Sequence, residues 1–246
     1  MAHAAAIPVD RGTMATAIPR VQGPPVTPGK VAMWLFLATE VMFFTGLIGT
    51  YIVLRAGSPG TAYSNKFAPG QTPVGFASIP GIQVYNWPLP YDKSTNPLSI
   101  DLTALNTFIL ICSSVTMVLA LAAIQRGNQA GLIRYLAATV LIGSTFLGIQ
   151  VYEYYQLSTG HHYSVGISPS GHFRPSVSLF GSCFYTMTGF HGAHVFGGVI
   201  LLSCILIGSL MGKFTQRHHS AVELAGLYWH FVDLVWIILF TVVYLI

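Results

Sequence analysis

The stretch Gly189 to Val195, GFHGAHV, sets two imidazoles three residues apart in a run that is otherwise almost wholly apolar. Imidazoles so placed can ligate a metal or haem, hold a proton against a carboxylate, or bond to neighbouring helices. Partners for the second and third roles are present. Glu40, Gln150, Glu153, Glu223, His230 and Asp233 all lie within or beside other apolar runs. Residues three apart on a helix point within roughly 60° of each other. His191 and His194 are therefore expected to share a face, as are His230 and Asp233, with Glu223 seven residues before His230 on the same side. Two imidazoles on one helical face cannot grip a haem from opposite sides. Cys112, Cys183 and Cys204 form no close pair, and free cysteine of that kind behaves as a small buried hydrophobe. His161, His162 and His172 share a loop with no Cys or carboxylate among them, which makes a poor metal site. No catalytic and no metal-ligating residue is assigned on these grounds. The readings left open are a hydrogen-bonded network joining helices and, overlapping it, a proton-holding role for Glu40 with the histidines.

These residues need elements that place them deep in an apolar medium. Of the 246 residues, 53% are hydrophobic and only 7% charged, far from the roughly 25% charged share of soluble domains. The chain is expected to be an all-α integral membrane protein. Its five apolar runs, at about 31–54, 102–124, 132–154, 177–211 and 221–246, each exceed the roughly 20 residues that cross a hydrocarbon core. The runs are continuous, whereas strands of a membrane barrel would alternate polar and apolar residues. At about 1.5 Å rise per residue, Glu40, His191, His194, His230 and Asp233 come to a common depth on three spans, with Glu153 and Glu223 nearer opposite surfaces. Intramembrane ionisable groups are costly and so need a partner or a function. Gly189, Ala193 and Gly197 form a small-residue stripe expected to permit close helix approach. Trp34, Trp229 and Trp236 read as packing residues or interface anchors rather than a cofactor box.

Charge placement gives the orientation. With the N-terminus cytoplasmic and the C-terminus periplasmic, Arg11, Arg20, Lys30, Arg126, Arg134, Lys213 and Arg217 fall inside, against Arg55, Lys66, Lys93 and Arg174 outside, in line with the positive-inside bias. The net charge of +4 is accounted for by this distribution and calls for no nucleic acid. Residues 1–30 lack a basic stretch followed by an apolar core and read as an extended tail. Residues 55–101, rich in Gly, Pro, Ser, Asn and Tyr, form an outer loop much longer than usual connections. The short QRGNQAG segment makes the second and third spans antiparallel neighbours. Arg217, His218 and His219, with Trp229 as an interfacial aromatic, are the candidates for holding lipid head groups.

The segments WLFLATEVMFFTGLIGTYIVLR, LNTFILICSSVTM, FLGIQVYEYYQL, SLFGSCFYTMTGFHGAHVFGGVILL and HHSAVELAGLYWHFVDLVWIILFTVVYLI, in this order, resemble subunit III of haem-copper terminal oxidases, the cytochrome c oxidase and quinol oxidase group. The resemblance implies a five-helix bacterial form, because the longer form carries two further spans before the glutamate helix. It implies an accessory subunit in the bacterial plasma membrane, with no catalytic centre and no cofactor of its own, haem and copper being carried by partner subunits. Catalytic subunit I and the other oxidase subunits would be its partners, with phospholipid bound and proton uptake supported. Glu40 matches the family's membrane-embedded glutamate. The outer loop 55–101 departs from the family's pattern and is expected to dock on a neighbouring subunit or an electron-donor complex. The rival expectations are a haem-binding membrane anchor of a quinone-linked enzyme and an independent proton or ion transporter. The latter should show broken helices or repeat symmetry, which the sequence does not display.

Overall fold

The first helix starts where proline chemistry and capping agree. Thr27 accepts the backbone N–H groups of Lys30 and Val31 through its carbonyl, and Pro28 takes the first helical position, where its missing N–H costs nothing. The computed structural model describes residues 27–57, 98–159, 175 and 179–245. Most of the expected tail and of the outer loop lies outside these residues, as do His161, His162 and His172. Among the described residues there are five long helices and no named strand: α1 (Pro28–Gly57), α2 (Ile100–Gln125), α3 (Gln129–Thr159), α4 (Leu179–Leu210) and α5 (Ser220–Phe240). A five-residue π turn, Thr241–Leu245, continues α5. All five helices are long and apolar enough to cross a membrane. α1, α2 and α3 overrun the expected spans by one to five residues at their ends, most at Thr159, whereas α4 falls short of its expected span by two residues at one end and one at the other.

Two connections are tight for the same reason. α2 ends at Gly127, whose φ is +75°, and α4 at Gly212, whose φ is +70°. Glycine accepts this left-handed conformation without the Cβ clash other residues meet. Each then closes a Schellman cap: Asn128 N–H donates to Ala123 O and Gly127 N–H to Ile124 O, while Lys213 N–H donates to Gly208 O and Gly212 N–H to Ser209 O. Asn128 also starts α3, its side-chain oxygen accepting from Gly131 N–H at 2.9 Å. Both short connections lie at one end of the bundle, here termed the turn end, together with the start of α1.

α2, α3, α4 and α5 pack around one another, and α1 lies chiefly against α5 and α4. The α1 seam is narrow. Its buried residues are Leu37, Phe44 and Tyr51, seven apart, the spacing of a helix that touches its partner along a single stripe. The rest of the helix presents apolar side chains outward, Met42 being 76% exposed. Outward apolar surface of this extent suits lipid, because hydrocarbon solvates it and the helices satisfy their own backbone.

The interior has two apolar clusters. One gathers Trp229, Trp236, Phe146, Leu110 and Leu136 towards the middle of α2 to α5. The other gathers Phe44, Tyr51, Phe180, Phe184 and Tyr244 at the end away from the turns. Glycine makes room for the largest side chain. A Cβ on Gly143 would lie 2.6 Å from the Trp229 ring, and one on Gly198 would lie 3.0 Å from it. The small-residue stripe expected from sequence is therefore misplaced. A Cβ on Gly189 would meet nothing within 4 Å, one on Gly197 would meet only Tyr228 Oη at 3.8 Å, and Ala193 is exposed.

Candidate functional site

Glu40 projects from α1 towards His194 of α4, and its Oε2 lies 2.9 Å from His194 Nε2. The other ring nitrogen, Nδ1, is 2.7 Å from Phe190 O. A carbonyl oxygen can only accept, so Nδ1 carries a proton and Nε2 is left to face the carboxyl group. The Glu40 contact then requires one proton between the two groups, held either as a carboxylic acid donating to imidazole or as imidazolium donating to carboxylate. In both forms the pair is neutral overall, which suits a group in apolar surroundings. Phe43 and Phe44 flank the imidazole at centroid distances of 6.4 and 5.2 Å. Tyr228 of α5 donates its hydroxyl to His194 O at 3.0 Å. Three helices thus meet at this pair.

His191 does not join it. It is fully buried, stacked on Trp236 with centroids 4.8 Å apart at 27° and edge-on to Phe146. Neither ring nitrogen has a hydrogen-bond partner among the described residues. The expectation that both histidines share a face and are hydrogen-bonded is corrected for this residue. Its step of three residues turns His191 into the four-helix interior while His194 faces α1.

The expected single polar network is likewise divided. Asp233 accepts from Ser114 Oγ of α2 at 2.6 Å, and half-buried His230 lies one turn back along α5. Glu153 accepts from Thr103 Oγ1 at 3.2 Å, with Tyr244 of the π turn beside it. Gln150 Nε2 donates to Thr188 O at 3.0 Å, the close approach being made at Gly192, where an added Cβ would meet Gln150 Oε1 at 3.1 Å. The Thr188 hydroxyl in turn meets Tyr154 Oη at 2.5 Å. Glu223 sits at the first turn of α5 and pairs with Lys30 Nζ of α1 at 2.7 Å.

Trp229 was expected with Arg217, His218 and His219 as a head-group residue, and the structure separates it from them. Its indole is enclosed in the core, with Nε1 donating to Ser113 Oγ at 2.9 Å. Trp236 is held in the same manner by Thr107 at 2.9 Å. Arg217 and His218 are exposed, and His219 is partly so. Sequence reasoning missed the acceptors and donors on α2: Thr103, Thr107, Ser113 and Ser114. The signal was present, because Thr103, Asn106, Thr107, Leu110, Ser113 and Met117 recur at helical spacing and are the buried face of α2. Among the described residues, no three His, Cys, Asp or Glu side chains converge where they could hold a metal ion.

Comparison with known proteins matches the family described as cytochrome c oxidase subunit III over residues 21–246. A cytochrome c oxidase subunit 3 from Synechocystis is 35% identical over 213 residues, covering 86% of this chain and 73% of the relative. One from Alkalihalophilus pseudofirmus is 32% identical over 241 residues, covering 94% and 98%. A probable cytochrome c oxidase subunit 3 from Mycobacterium leprae is 35% identical over 237 residues, covering 96% and 97%. Such coverage, with five apolar helices, describes a multi-pass bacterial membrane protein that partners other oxidase subunits. The chain belongs to the cytochrome c oxidase subunit III family.

Proposed function

We propose that this chain is the non-catalytic accessory subunit of a proton-pumping haem-copper terminal oxidase. It packs against the catalytic subunit in the plasma membrane, stabilises it through turnover, carries phospholipid, and supports proton uptake. Haem and copper belong to the partner subunits, and this chain binds no cofactor of its own. The turn end and the N-terminus face the cytoplasm, and the end of α5 faces the periplasm. Loop 55–101 contacts a neighbouring subunit or an electron-donor complex.

The observation that carries this reading is the Glu40–His194 pair. It joins two helices across an apolar interior through one shared proton, so its chemistry is that of holding helices and a proton. Three buried polar residues support the same view, because Asp233, Glu153 and Gln150 each bond to another helix of this chain. Lipid binding is supported by exposed Arg217 and His218 near exposed apolar Met211, an arrangement suited to the boundary between head groups and acyl chains.

The test is a Glu40→Ala variant of the intact oxidase. The initial electron-transfer rate is expected to stay unchanged while activity is lost several-fold sooner during sustained turnover. A His230→Ala variant is expected to behave in the same direction. Prompt loss of the haem spectrum with the complex still assembled would overturn the accessory reading.

A further inference from the structure

Glu153 of α3, Thr103 of α2 and Tyr244 of the π turn meet inside the bundle at the end away from the turns, and all three are buried. Neither ion pair formed among the described residues includes Glu153. The titratable side chains acting on it are Tyr154 of its own helix, Tyr185 of α4 and Tyr244. A phenol brings no positive charge, so an ionised Glu153 would stand uncompensated in an apolar interior, which is the costly case. The hydroxyl of Thr103 has one hydrogen and two oxygens in reach: Ser99 O, one turn back, at 2.9 Å and Glu153 Oε1 at 3.2 Å. The Ser99 carbonyl can only accept, and donation from threonine to the carbonyl four residues back is a common bond in helices. Each of the two contacts has a hydrogen of its own only if Glu153 brings the second one.

We propose that Glu153 is a proton-binding site, separate from the Glu40–His194 pair, whose occupancy sets where the Thr103 hydroxyl points. With the proton bound, the carboxylic acid donates to Thr103 Oγ1, Thr103 donates to Ser99 O, and the Tyr244 hydroxyl donates to the acid. With the proton released, Thr103 turns its hydrogen to the carboxylate, and Ser99 O keeps the backbone N–H of Thr103. The neutral form is the resting one, because no cation faces the group. Ser99 is the N-cap of α2 and makes no side-chain cap bond, so the change falls on the first turn of α2, where loop 55–101 joins the bundle. The chain of bonds ends on a backbone carbonyl, which accepts a hydrogen bond and has no proton to pass on. The site therefore stores a proton and does not conduct one.

The experiment is infrared spectroscopy of the intact oxidase at neutral pH, in light and heavy water, taken as the difference between wild type and a Glu153→Gln variant. The wild type is expected to show the C=O stretch of a carboxylic acid, sensitive to deuterium, that the variant lacks. Carboxylate bands in its place overturn the proposal. Glutamine offers an N–H to Thr103 and a carbonyl to Tyr244 as the neutral acid does, so Glu153→Gln is expected to assemble as the wild type does. Failure of that variant to assemble also counts against the proposal. Thr103→Val and Tyr244→Phe leave the carboxyl group in place and each remove one of its hydrogen bonds. Both are expected to move the acid band to higher wavenumber, whereas Glu223→Gln, at the turn end, should leave it where it is. A band unmoved by Thr103→Val means that the acid does not donate there, and the proposal falls.

Discussion

A phenyl ring in place of the His191 imidazole would keep the stacking on Trp236 and remove two polar atoms that have no hydrogen-bond partner among the described residues. Burying an unsatisfied polar group costs about 1–3 kcal/mol, and replacing it by an apolar group of similar shape can be neutral or stabilising. His191→Phe is therefore expected to leave the melting temperature of the complex unchanged or to raise it. A clear drop would mean that the imidazole bonds to something outside this chain. The opposite sign is expected at Gly143. A Cβ there enters the Trp229 ring at 2.6 Å, and overpacking of this kind costs about 1–3 kcal/mol. That equals or exceeds the roughly 1 kcal/mol that alanine recovers in helix propensity, so Gly143→Ala should lower thermal stability. Gly197→Ala, with 3.8 Å to its nearest neighbour, should not.

α1 is the element whose attachment can be dissected. Its apolar seam is a single stripe, supplemented by Lys30–Glu223 at the turn end and Glu40–His194 deeper in. The first pair is 27% and 31% exposed, and ion pairs open to water contribute about 0–1 kcal/mol. The second is 18% and 19% exposed in apolar surroundings. Double-mutant cycles read by thermal melting should therefore give a larger coupling for Glu40 with His194 than for Lys30 with Glu223. Equal couplings would indicate that water reaches both. That five helices exist was legible in the sequence, because apolar runs of such length have no other stable form in a bilayer. Which way each helix faces was not. Helices that are apolar on every side carry little directional pattern, so orientation had to be read from a few polar residues. Three-residue spacing turns a helix far enough to put His191 and His194 on either side of a packing seam. The Glu40–His194 contact joins residues 154 apart in sequence, and the common depth of the two groups was the part of the site that the sequence conveyed. The α2 hydroxyls carry no charge to single them out, although the helical spacing of Thr103, Thr107 and Ser113 already marks the buried face.

For the whole molecule, orientation is the property that the remaining functional proposals depend on. A His218→Cys variant in sealed inverted vesicles should react with a membrane-impermeant maleimide, since the turn end then faces the added reagent, and the same variant in intact spheroplasts should not. The reverse result would place the cationic turns on the periplasmic side. At the other end of the molecule, the π turn that finishes α5 spreads its residues over a wider loop than an α turn, and Tyr244 reaches Glu153 from it. Inserting one residue into α5 ahead of Thr241 would turn the segment about 100° around the axis and carry the phenol away from Glu153. The carboxyl group of α3 would then lose its contact with Tyr244 although neither residue had changed, so the winding of the last turn governs this polar contact at a distance from the residues that make it.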